Sequence, residues 1–597
     1  MDTTPAADWV FEVSWEVCNK IGGINTVIAS KAQSMLEHYR NYVLIGPYFK
    51  DKFEAEVTPE KPPEPIASAI AAMGAKGIPC FFGRWHIKGN PWVILIDTQP
   101  LLHGVSSIKT DMWNTFKVDS IYSNFEFDEP ISWAWGAGML LHEIALKTTP
   151  TPKFVAQCHE WLAGPCVLYL KKVNAPFATV FTTHATILGR TMAAAGMDLY
   201  AILDQVNPDE EAYRLGVQDK FTLERASAHA ADVFTTVSDI TGFEAEKLLG
   251  RKPEVLVYNG FDVDRFPTIE ETSINHVQNL AKLKDFLTYT FFPYYTFDLS
   301  HTLIFFLLAR YEYKNKGIDV TIEALARLNE ELKQSGSNKT VVCFFYVPQR
   351  TYGIKTELLE NKNMYRMIRS YVEMKSKEIQ KVIIEHVISQ KTDSTMSICA
   401  QDFLLDLRKD TRGFKRVGNP PLCVFNIGDE HDDAIVSNLL RVGLDNKEDD
   451  RVKAILFPTY LDGNDGILGM NVYETMSGSH LGLFPSYYEP WGYTPVECAA
   501  MGVSSVTSDV SGFGKFIQPR LLPHDSGIYI LERFNKDWEQ TVEGLKRLFH
   551  QYVAFDHSER VQNKINAKNL SYLADWKHMV KNYIDAHNLA LERRDNG

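Results

Sequence analysis

The stretch from Leu481 to Glu497 reads LGLFPSYYEPWGYTPVE. Its apolar start is typical of a buried strand, an aromatic and proline-rich loop follows, and the last residues predict the start of a helix. Thr494 is the expected N-cap, with Pro495 at the first helical position and Glu497 three residues after the cap. Open α/β sheets bind ligands at such strand-to-helix loops, and the helix N-terminus favours phosphate groups. The segment therefore predicts an α/β fold with an anion site.

Short β-rich runs alternate with helical stretches along both halves of the chain. In the first half the predicted strands are Trp9–Ser14, Tyr42–Ile45, Trp92–Asp97, Phe154–Cys158, Thr179–Thr183 and Asp232–Val237. In the second half they are Leu303–Leu308, Thr340–Tyr346, Cys423–Phe425, Ala454–Phe457, Leu481–Phe484 and Ser504–Thr507. This alternation favours parallel sheets wrapped by helices. We therefore expect an α/β fold with two Rossmann-like domains that face each other across a deep cleft.

The length of 597 residues is too great for one compact core and favours two domains. The predicted domains are residues 1–264 and 265–560, with the hinge near residues 259–267. Residues 351–414 are rich in Lys, Glu, Met and Ile at helical spacing. They predict a helical insertion in the second domain, either packed against a second subunit or exposed as a solvated hairpin. Residues 561–597 predict C-terminal helices that pack back on the first domain.

The charge balance excludes several classes of partner. The chain has 62 basic and 75 acidic residues, a net charge of −13, which argues against binding to nucleic acid or to an anionic membrane. Its eight cysteines are scattered without a C-x-x-C pair, so neither a disulfide framework nor structural zinc is expected. There is no secretory signal and no apolar run of about 18 residues. These features predict a cytoplasmic protein.

Two segments of the second domain carry charged groups suited to chemistry. Glu489 follows a predicted strand, between aromatic residues and prolines, where no structural role explains a carboxylate. The segment ARYEYKNKG at 309–317 places Arg310, Lys314 and Lys316 on one loop. Such cations can neutralise a leaving diphosphate, each contributing about 3 kcal/mol in a site shielded from water; a solvated basic loop is the alternative.

The first domain contributes three weaker signals. Lys20 precedes the pair Gly22 and Gly23, which indicates either a phosphate cradle or a plain turn. His159 and His184 each lie just past a predicted strand. A single histidine there is more often structural than functional.

The motifs resemble, in order from about residue 9 to Trp576, the glycogen synthases of eukaryotic type. The matching segments are KIGG (20–23), QCHEW (157–161), TTHAT (182–186), YNG (258–260), RYEYKNK (310–316) and SYYEPWGYTPVE (486–497). The resemblance implies the GT-B architecture, in which two Rossmann-like domains enclose the site. It also implies transfer of glucose from UDP-glucose to the 4-hydroxyl at the non-reducing end of an α-1,4-glucan, with retention of configuration and without a metal or other cofactor.

The resemblance implies roles for individual residues. Arg190, Arg310 and Lys316 would bind the diphosphate, while Glu489 and His184 would lie at the donor glucose. The remaining nucleotide-sugar site would comprise Lys20, Gly22, Gly23, Tyr473 against the uracil, Trp491, Gly492, Tyr493, Thr494, and Glu497 on the ribose. The residues expected at the acceptor or donor sugar are His159, Glu160 and Asn259.

The resemblance further implies partners. Glycogen would be the acceptor, a glycogenin-like protein would supply the primer, and the enzyme would be a homo-oligomer, with a tetramer favoured.

One departure from the family concerns its activator, glucose 6-phosphate, which binds a run of arginines on a helix near the C-terminus. Here that helix carries Arg560, Lys564 and Lys568, and most arginine positions hold Asn or Lys. A degenerate site without a bidentate phosphate clamp is the expectation. The chain also ends at Gly597 without a Ser/Thr-rich tail. We therefore expect little or no activation by glucose 6-phosphate.

The residues also bear on three other functions. Asp262 and Asp264 form a D-x-D pair that holds a divalent ion in some sugar transferases, but they follow a turn signal, and a structural role is favoured. A nucleotide-cofactor oxidoreductase would need a G-x-G-x-x-G after the first strand, which is missing. A glucan-binding scaffold descended from the enzyme would have no use for Arg310, Lys316 and Glu489.

Overall fold

The computed structural model describes residues 4–389, 412–521 and 527–596. Two sheets are present, each with helices on both faces. The first contains β1 (Trp9–Val13), β2 (Tyr42–Pro47), β3 (Val57–Pro59), β4 (Cys80–Trp85), β5 (Trp92–Ile96), β6 (Phe154–His159), β7 (Phe177–Thr183), β8 (Val233–Thr236) and β9 (Val255–Leu256). The second contains β10 (Thr302–Leu308), β11 (Thr340–Tyr346), β12 (Val452–Phe457), β13 (Leu481–Phe484), β14 (Ser504–Ser508) and β15 (Ile528–Leu531).

The helices of the first half are α1 (Gly23–His38), α2 (Lys50–Glu56), α3 (Ile66–Ala75), α4 (Gln99–Leu102), α5 (Val105–Phe116), α6 (Phe125–Leu146), α7 (Glu160–Lys172), α8 (Ile187–Ala194), α9 (Leu199–Ile202), α10 (Pro208–Arg214), α11 (Gln218–Ala230) and α12 (Asp239–Leu248). Those of the second half are α13 (Ile269–Phe291), α14 (Ile318–Gln334), α15 (Thr356–Ile388), α16 (Ala434–Arg441), α17 (Val472–Gly478), α18 (Tyr493–Ala500), α19 (Gly512–Ile517), α20 (Trp538–Ala554), α21 (His557–Ser571) and α22 (Trp576–Asn596). Within the described part of the chain, every helix is too short or too polar to span a bilayer.

Both sheets have the Rossmann strand order. The second runs β12-β11-β10-β13-β14-β15, entirely parallel, so the order reverses between β10 and β13. The centre of the first runs β5-β2-β1-β6-β7-β8, and its order reverses between β1 and β6. Ligands of such sheets bind beyond the carboxyl ends of the strands at these reversals. The expected α/β fold of two Rossmann-like domains is confirmed.

The central strands of the second sheet consist almost wholly of apolar residues. β10 reads TLIFFLL and β11 reads TVVCFFY, and their side chains are buried on both faces. Such near-continuous apolar strands belong in a parallel sheet that helices cover on both sides.

Some predicted elements differ from the structure. Cys423–Phe425 is not a strand of the sheet, because only isolated bridges link Cys423 to Leu456 and Phe425 to Ile354. Four of the described strands were not predicted: β3, β4, β9 and β15. Strands β3 and β4 pair antiparallel at the edge of the first sheet and so do not follow the alternation of strand and helix, whereas β9 and β15 are parallel edge strands of only two and four residues.

The predicted helical insertion is present where it is described. α15 extends over 33 residues, whereas residues 390–411 of the predicted segment lie outside the described residues. Arg369 on this helix pairs with Asp285 of α13, and Tyr365 also donates a hydrogen bond to Asp285, at 2.7 Å. Its more distal part exposes apolar side chains, among them Met374, Ile384 and Ile388.

The last helix lies against the first sheet. The Tyr39 hydroxyl is 2.9 Å from Nδ1 of His587 on α22, and the other ring nitrogen of His587 is 2.9 Å from the side-chain oxygen of Gln157. At the start of α22 the Trp576 ring covers Gly260, where a Cβ atom would lie 2.6 Å from the ring. The chain thus crosses from the second sheet back to the first. The predicted boundaries at 264 and 560 stay predictions.

Candidate active site

A cavity of about 270 Å³ opens where the strand order of the second sheet reverses. It lies between the loop after β10 and the loop after β13, at the carboxyl ends of both strands. Its polar lining includes Arg310, Lys316, Glu489, Thr494 and Ser511. The structure thus brings together two of the three predicted cations, Arg310 and Lys316, with the predicted carboxylate of Glu489, whereas Lys314 lies outside the cavity lining.

Lys316 and Glu489, which both line this cavity, form an ion pair. Their charged atoms are 2.6 Å apart, and the side chains are 14% and 26% exposed. Both can therefore still face a ligand. Each charge of the pair neutralises the other, so an incoming phosphate would compete with Glu489 for the lysine.

The two loops hold each other in place through their backbones. The amide of Tyr487 donates to the carbonyl of Asn315 at 2.7 Å. Gly317 has φ of +67°, and a Cβ atom there would lie 2.2 Å from the carbonyl oxygen of Pro485. Only glycine combines this left-handed backbone with such a close approach. The position of Lys316 is thereby tied to the loop that carries Glu489.

Arg310 has a different environment from Lys316. Its side chain is 80% exposed and forms an ion pair with Glu312 at 2.8 Å. Since a guanidinium has five N–H donors, this pair leaves several for a phosphate that enters the cavity.

The predicted capping box at Thr494 is wrong. Helix α18 begins at Tyr493, and its N-cap is Gly492 with φ of +99°. Glycine has no side chain with which to cap the first N–H groups, so this helix end is suited to an anionic ligand. Glu497 is the fifth residue of this helix, beyond its first turn, and accepts a hydrogen bond from the Tyr473 hydroxyl at 3.4 Å.

A second cavity of about 740 Å³ adjoins the first, because Tyr493 lines both. Its lining includes Lys20, Arg265, Tyr473 and Glu497. The Tyr473 ring is 41% exposed and packs edge-on against Phe266. Burial raises the pKa of Glu497 to about 7. An exposed aromatic face beside a carboxylate fits the base and ribose of a nucleoside.

Trp491 differs from its predicted role at the nucleotide. It is only 3% exposed and packs with Tyr258, Phe513 and Phe516 in a core shared by both domains. Its ring therefore packs in the core beneath the loop that follows β13 and carries Glu489 (the Glu489 loop).

His184 and Arg190 lie on the first domain, outside the lining of both cavities. Thr186 caps helix α8 by accepting the amide of Gly189 at 3.0 Å, which sets the helix that carries Arg190. The exposed Arg190 interacts electrostatically with Tyr488, the neighbour of Glu489, and with the buried carboxylate of Glu160. Arg190 thus belongs to the wall that faces the Glu489 loop.

His159 and Glu160, predicted at the sugar, instead bond within the protein. His159 Nδ1 is 2.9 Å from His184 Nε2. The Glu160 carboxylate accepts the amides of His184 and Ala185 at 2.8 and 3.1 Å. Both are buried, and both hold the segment that carries His184.

The remaining first-domain candidates have mixed environments. The amides of Gly22 and Asn25 bind the Glu16 carboxylate at 2.8 and 2.9 Å, so this turn already has an internal anion in place of a phosphate. No atom within 4 Å would contact a Cβ added to Gly23. Asn259 is buried, and its side-chain oxygen has no partner among the described residues.

Hydrogen bonds join the Glu489 loop to the first domain. The Tyr487 hydroxyl donates to Asp198, and the Tyr488 hydroxyl donates to Glu244 at 3.2 Å. Ser238 donates to the carbonyl of Pro490 at 2.7 Å. Burial raises the pKa of Glu244 to about 7. Sequence reasoning missed all of these partners, because nothing in their local sequence distinguishes them from surface residues.

Arg560, Lys564 and Lys568 line a separate cavity of about 520 Å³, together with His276 and His480. Arg560 donates to the Phe555 carbonyl at 2.6 Å and Lys568 to the Ala500 carbonyl at 2.7 Å. Burial lowers the pKa of Lys564 to about 7. At neutral pH two of these cations are therefore engaged by backbone carbonyls, and the third is partly deprotonated.

The D-x-D carboxylates are each paired with a lysine. Asp262 is 2.8 Å from Lys88, and Asp264 is 3.5 Å from Lys577. Across residues 4–389, 412–521 and 527–596, no three His, Cys, Asp or Glu side chains are grouped so that they could hold a metal.

The two facing Rossmann-like domains, with a cation–carboxylate cavity beside a nucleoside-sized cavity, define a glycosyltransferase of the GT-B class. The sequence model of the glycogen synthase family matches residues 12–595. The chain belongs to the glycogen synthase family.

Two eukaryotic glycogen synthases agree with this assignment. The chain is 37% identical to the liver glycogen [starch] synthase of Rattus norvegicus, over 98% of this chain and 83% of that protein. It is 38% identical to glycogen [starch] synthase isoform 2 of Saccharomyces cerevisiae, over 98% of this chain and 86% of that protein. The solved catalytic domain of starch synthase IV from Arabidopsis thaliana, bound to ADP and acarbose, is 13% identical with a TM-score of 0.49, covering 98% of this chain and all of that one.

The close approach at Gly317 generates a prediction. Gly317→Ala should destabilise the protein by more than about 2 kcal/mol, because left-handed backbone strain adds to a backbone clash. It should also lower glucose transfer by about 100-fold, since the loop with Lys316 is displaced. Gly336→Ala is the matched control: its φ is +63°, and nothing lies within 4 Å of the added Cβ.

Urea unfolding and initial rates measure both effects. In Gly336→Ala the free energy of unfolding should fall only by the cost of the backbone strain, and the rate of glucose transfer should stay at the wild-type value. Equal rates for the two variants would show that the Gly317–Pro485 contact does not position the site.

Proposed function

We propose that the protein lengthens glycogen by transferring glucose from UDP-glucose to the non-reducing end of an α-1,4-glucan, with retention of configuration. The observation that carries this proposal is the cavity at the reversal of the second sheet, where Lys316 and Arg310 stand beside Glu489. Membership of the glycogen synthase family supports the choice of glucan and nucleotide sugar.

The arrangement suits departure of UDP from the front face. The diphosphate would lie over the N-terminus of α18 with Lys316 and Arg310 around it, where fixed positive charge stabilises negative charge as it develops. Displacing Lys316 from Glu489 would leave that carboxylate beside the donor glucose, where it stabilises the positive charge of an oxocarbenium-like transition state. The departing phosphate accepts the proton of the attacking 4-hydroxyl.

A metal has no part in this proposal. Lys316, Arg310 and the helix end supply positive charge for the leaving group, and the two D-x-D carboxylates are each bound to a lysine. The single assay that tests function and metal together is nucleotide release from UDP-glucose or ADP-glucose with glycogen, with and without EDTA. Nucleotide release that needs glycogen, prefers UDP-glucose and persists in EDTA is the expected result.

Lys316→Met should lower kcat about 100- to 1000-fold, because it removes charge that acts mainly in the transition state. Lys314→Met is the control, since this exposed lysine lies on the same loop but outside the cavity lining. Its kcat should stay close to that of the wild type. Steady-state kinetics measure both. An unchanged kcat in Lys316→Met, or a loss shared by both variants, would contradict the role of Lys316.

A covalent glycosyl intermediate on Glu489 is the mechanistic alternative. We expect Glu489→Gln to reduce transfer strongly through loss of the negative charge, with no donor-derived adduct on the wild-type enzyme. Intact-protein mass spectrometry after rapid quenching looks for that adduct. Its detection would establish the two-step route, and nearly intact activity in Glu489→Gln would remove the residue from the mechanism.

We further propose little or no activation by glucose 6-phosphate. The Arg560 and Lys568 side chains donate to backbone carbonyls, and Lys564 is partly neutral near pH 7. The histidines of the cavity add little charge, because burial lowers the pKa of His276 to about 3 and also lowers that of His480.

Lys564→Arg should therefore respond more strongly to millimolar glucose 6-phosphate than the wild type, since a guanidinium keeps its charge when buried. Lys546→Arg, a surface lysine elsewhere in the domain, is the matched control. Activity titrations at pH 7.5 measure the response. A many-fold rise in wild-type activity would overturn the proposal.

The assembly and setting are also proposals. We expect a cytoplasmic homo-tetramer whose contacts involve the exposed apolar side chains of α15, together with a glycogenin-like primer partner. Burial of such side chains stabilises subunit contacts. Multi-angle light scattering measures the mass, and a monomer at micromolar concentration would contradict the tetramer.

A further inference from the structure

A continuous line of polar side chains runs beneath His184 through the core of the first domain. It consists of Lys31 on α1, Glu12 near the carboxyl end of β1, His159 at the end of β6, and His184 just after β7. The strands β1, β6 and β7 are neighbours in the sheet. The line therefore crosses three strands and ends at the wall of the cleft.

Each link in this line is a short hydrogen bond. Lys31 Nζ and His159 Nε2 both lie 2.7 Å from Oε1 of Glu12. The Tyr42 hydroxyl donates to the other carboxylate oxygen. His159 Nδ1 is 2.9 Å from Nε2 of His184. The side chains of Lys31, Glu12 and His159 have no exposed surface.

A buried ion pair of this kind needs an explanation. Removing two charges from water costs more than their attraction usually returns, and apolar residues of similar size often give equal or greater stability. The Lys31 ammonium lies 3.6 Å from the centre of the Tyr583 ring on α22, so it is enclosed on that side as well. A contribution to stability alone is therefore a poor explanation for this buried ion pair.

The hydrogen-bond pattern determines which atoms carry protons. Burial by itself raises the pKa of Glu12, but the charge of Lys31 and the hydrogen bond from His159 lower the pKa by more than burial raises it. The carboxylate is therefore ionised and can only accept hydrogen bonds. His159 must then carry a proton on Nε2. Burial lowers the pKa of both histidines, so each ring has one N–H. His159 Nδ1 therefore accepts the proton of His184 Nε2, and His184 Nδ1 keeps a lone pair.

We propose that Glu12 and Lys31 are positioning residues that hold His184 in the Nε2–H tautomer, so that its Nδ1 accepts a hydrogen bond from a hydroxyl of the donor sugar. The inference rests on the proposed function, because it takes the donor sugar to lie at His184. Lys31 keeps Glu12 ionised, Glu12 fixes the tautomer of His159, and His159 fixes that of His184. Neither Glu12 nor Lys31 touches the substrate.

The first test uses the wild-type protein. Labelling the 17 histidines with ¹⁵N and assigning one signal by its loss in His184→Gln shows which nitrogen of His184 carries the proton. We expect protonated Nε2 and unprotonated Nδ1. A protonated Nδ1 would overturn the proposal, whether or not the protein transfers glucose.

The second test removes the buried pair without leaving one charge alone. The double variant Glu12→Gln/Lys31→Met should lower kcat/KM for UDP-glucose about tenfold, with the KM for glycogen unchanged. Tyr39→Phe is the matched control, because it deletes an equally buried hydrogen bond, to His587, in the same core. This control should keep the wild-type kinetics.

UDP-glucose analogues in which one hydroxyl at a time is replaced by fluorine separate positioning from general damage. The wild type should reject one analogue by about tenfold or more, since fluorine cannot donate to the Nδ1 lone pair. The double variant should lose that discrimination. Discrimination retained in the double variant would overturn the proposal; a wild type that releases no nucleotide from UDP-glucose would refute the proposed function and leave the tautomer result standing.

Discussion

The contact between the loop after β10 and the loop after β13 determines the geometry of the site. Parallel strands end at the same edge of a sheet, and at the reversal of strand order the two following helices diverge and leave a crevice. Gly317 lets one loop approach the Pro485 carbonyl of the other. Lys316 and Glu489 can then form an ion pair 2.6 Å long across the crevice. A side chain at position 317 would separate the very groups that the chemistry needs together.

The Glu489 loop forms hydrogen bonds with both domains, so the two sides of the cleft are held in a fixed relation to each other. Its backbone is bonded to the second domain through Asn315, while the hydroxyls of Tyr487 and Tyr488 bond to Asp198 and Glu244 of the first. The buried Trp491 fills the space behind the loop. Charge on the first domain, such as Arg190, is thereby held opposite the cavity without lining it.

Several charged side chains of the first domain are buried close to the cleft. Glu12, Lys31, Glu160 and Glu244 are all enclosed, although burial of ionised groups is costly. Glu12, Glu160 and Glu244 bond, directly or through one histidine, to the segment of residues 183–190 or to the Glu489 loop, and Lys31 bonds to Glu12. The domain thus gives up stability to fix the orientation of groups at the cleft.

Much of this protein was readable from local sequence. Alternating strand and helix signals predicted both Rossmann-like domains, and the motifs containing Arg310, Lys316 and Glu489 predicted the groups that meet in one cavity. Glu12 also had a visible signal, because it is the one charge within the apolar strand WVFEV. Periodicity and turn chemistry are properties of neighbouring residues, so they can be read without the fold.

Tertiary structure alone decided how those residues are used. It placed Gly492 rather than Thr494 at the start of α18, turned Trp491 into the core, and put His159 beneath His184 instead of at the sugar. The partners of a charged side chain lie up to several hundred residues away in the chain. Which of them it meets depends on strand order and packing, because those determine distance and access to water.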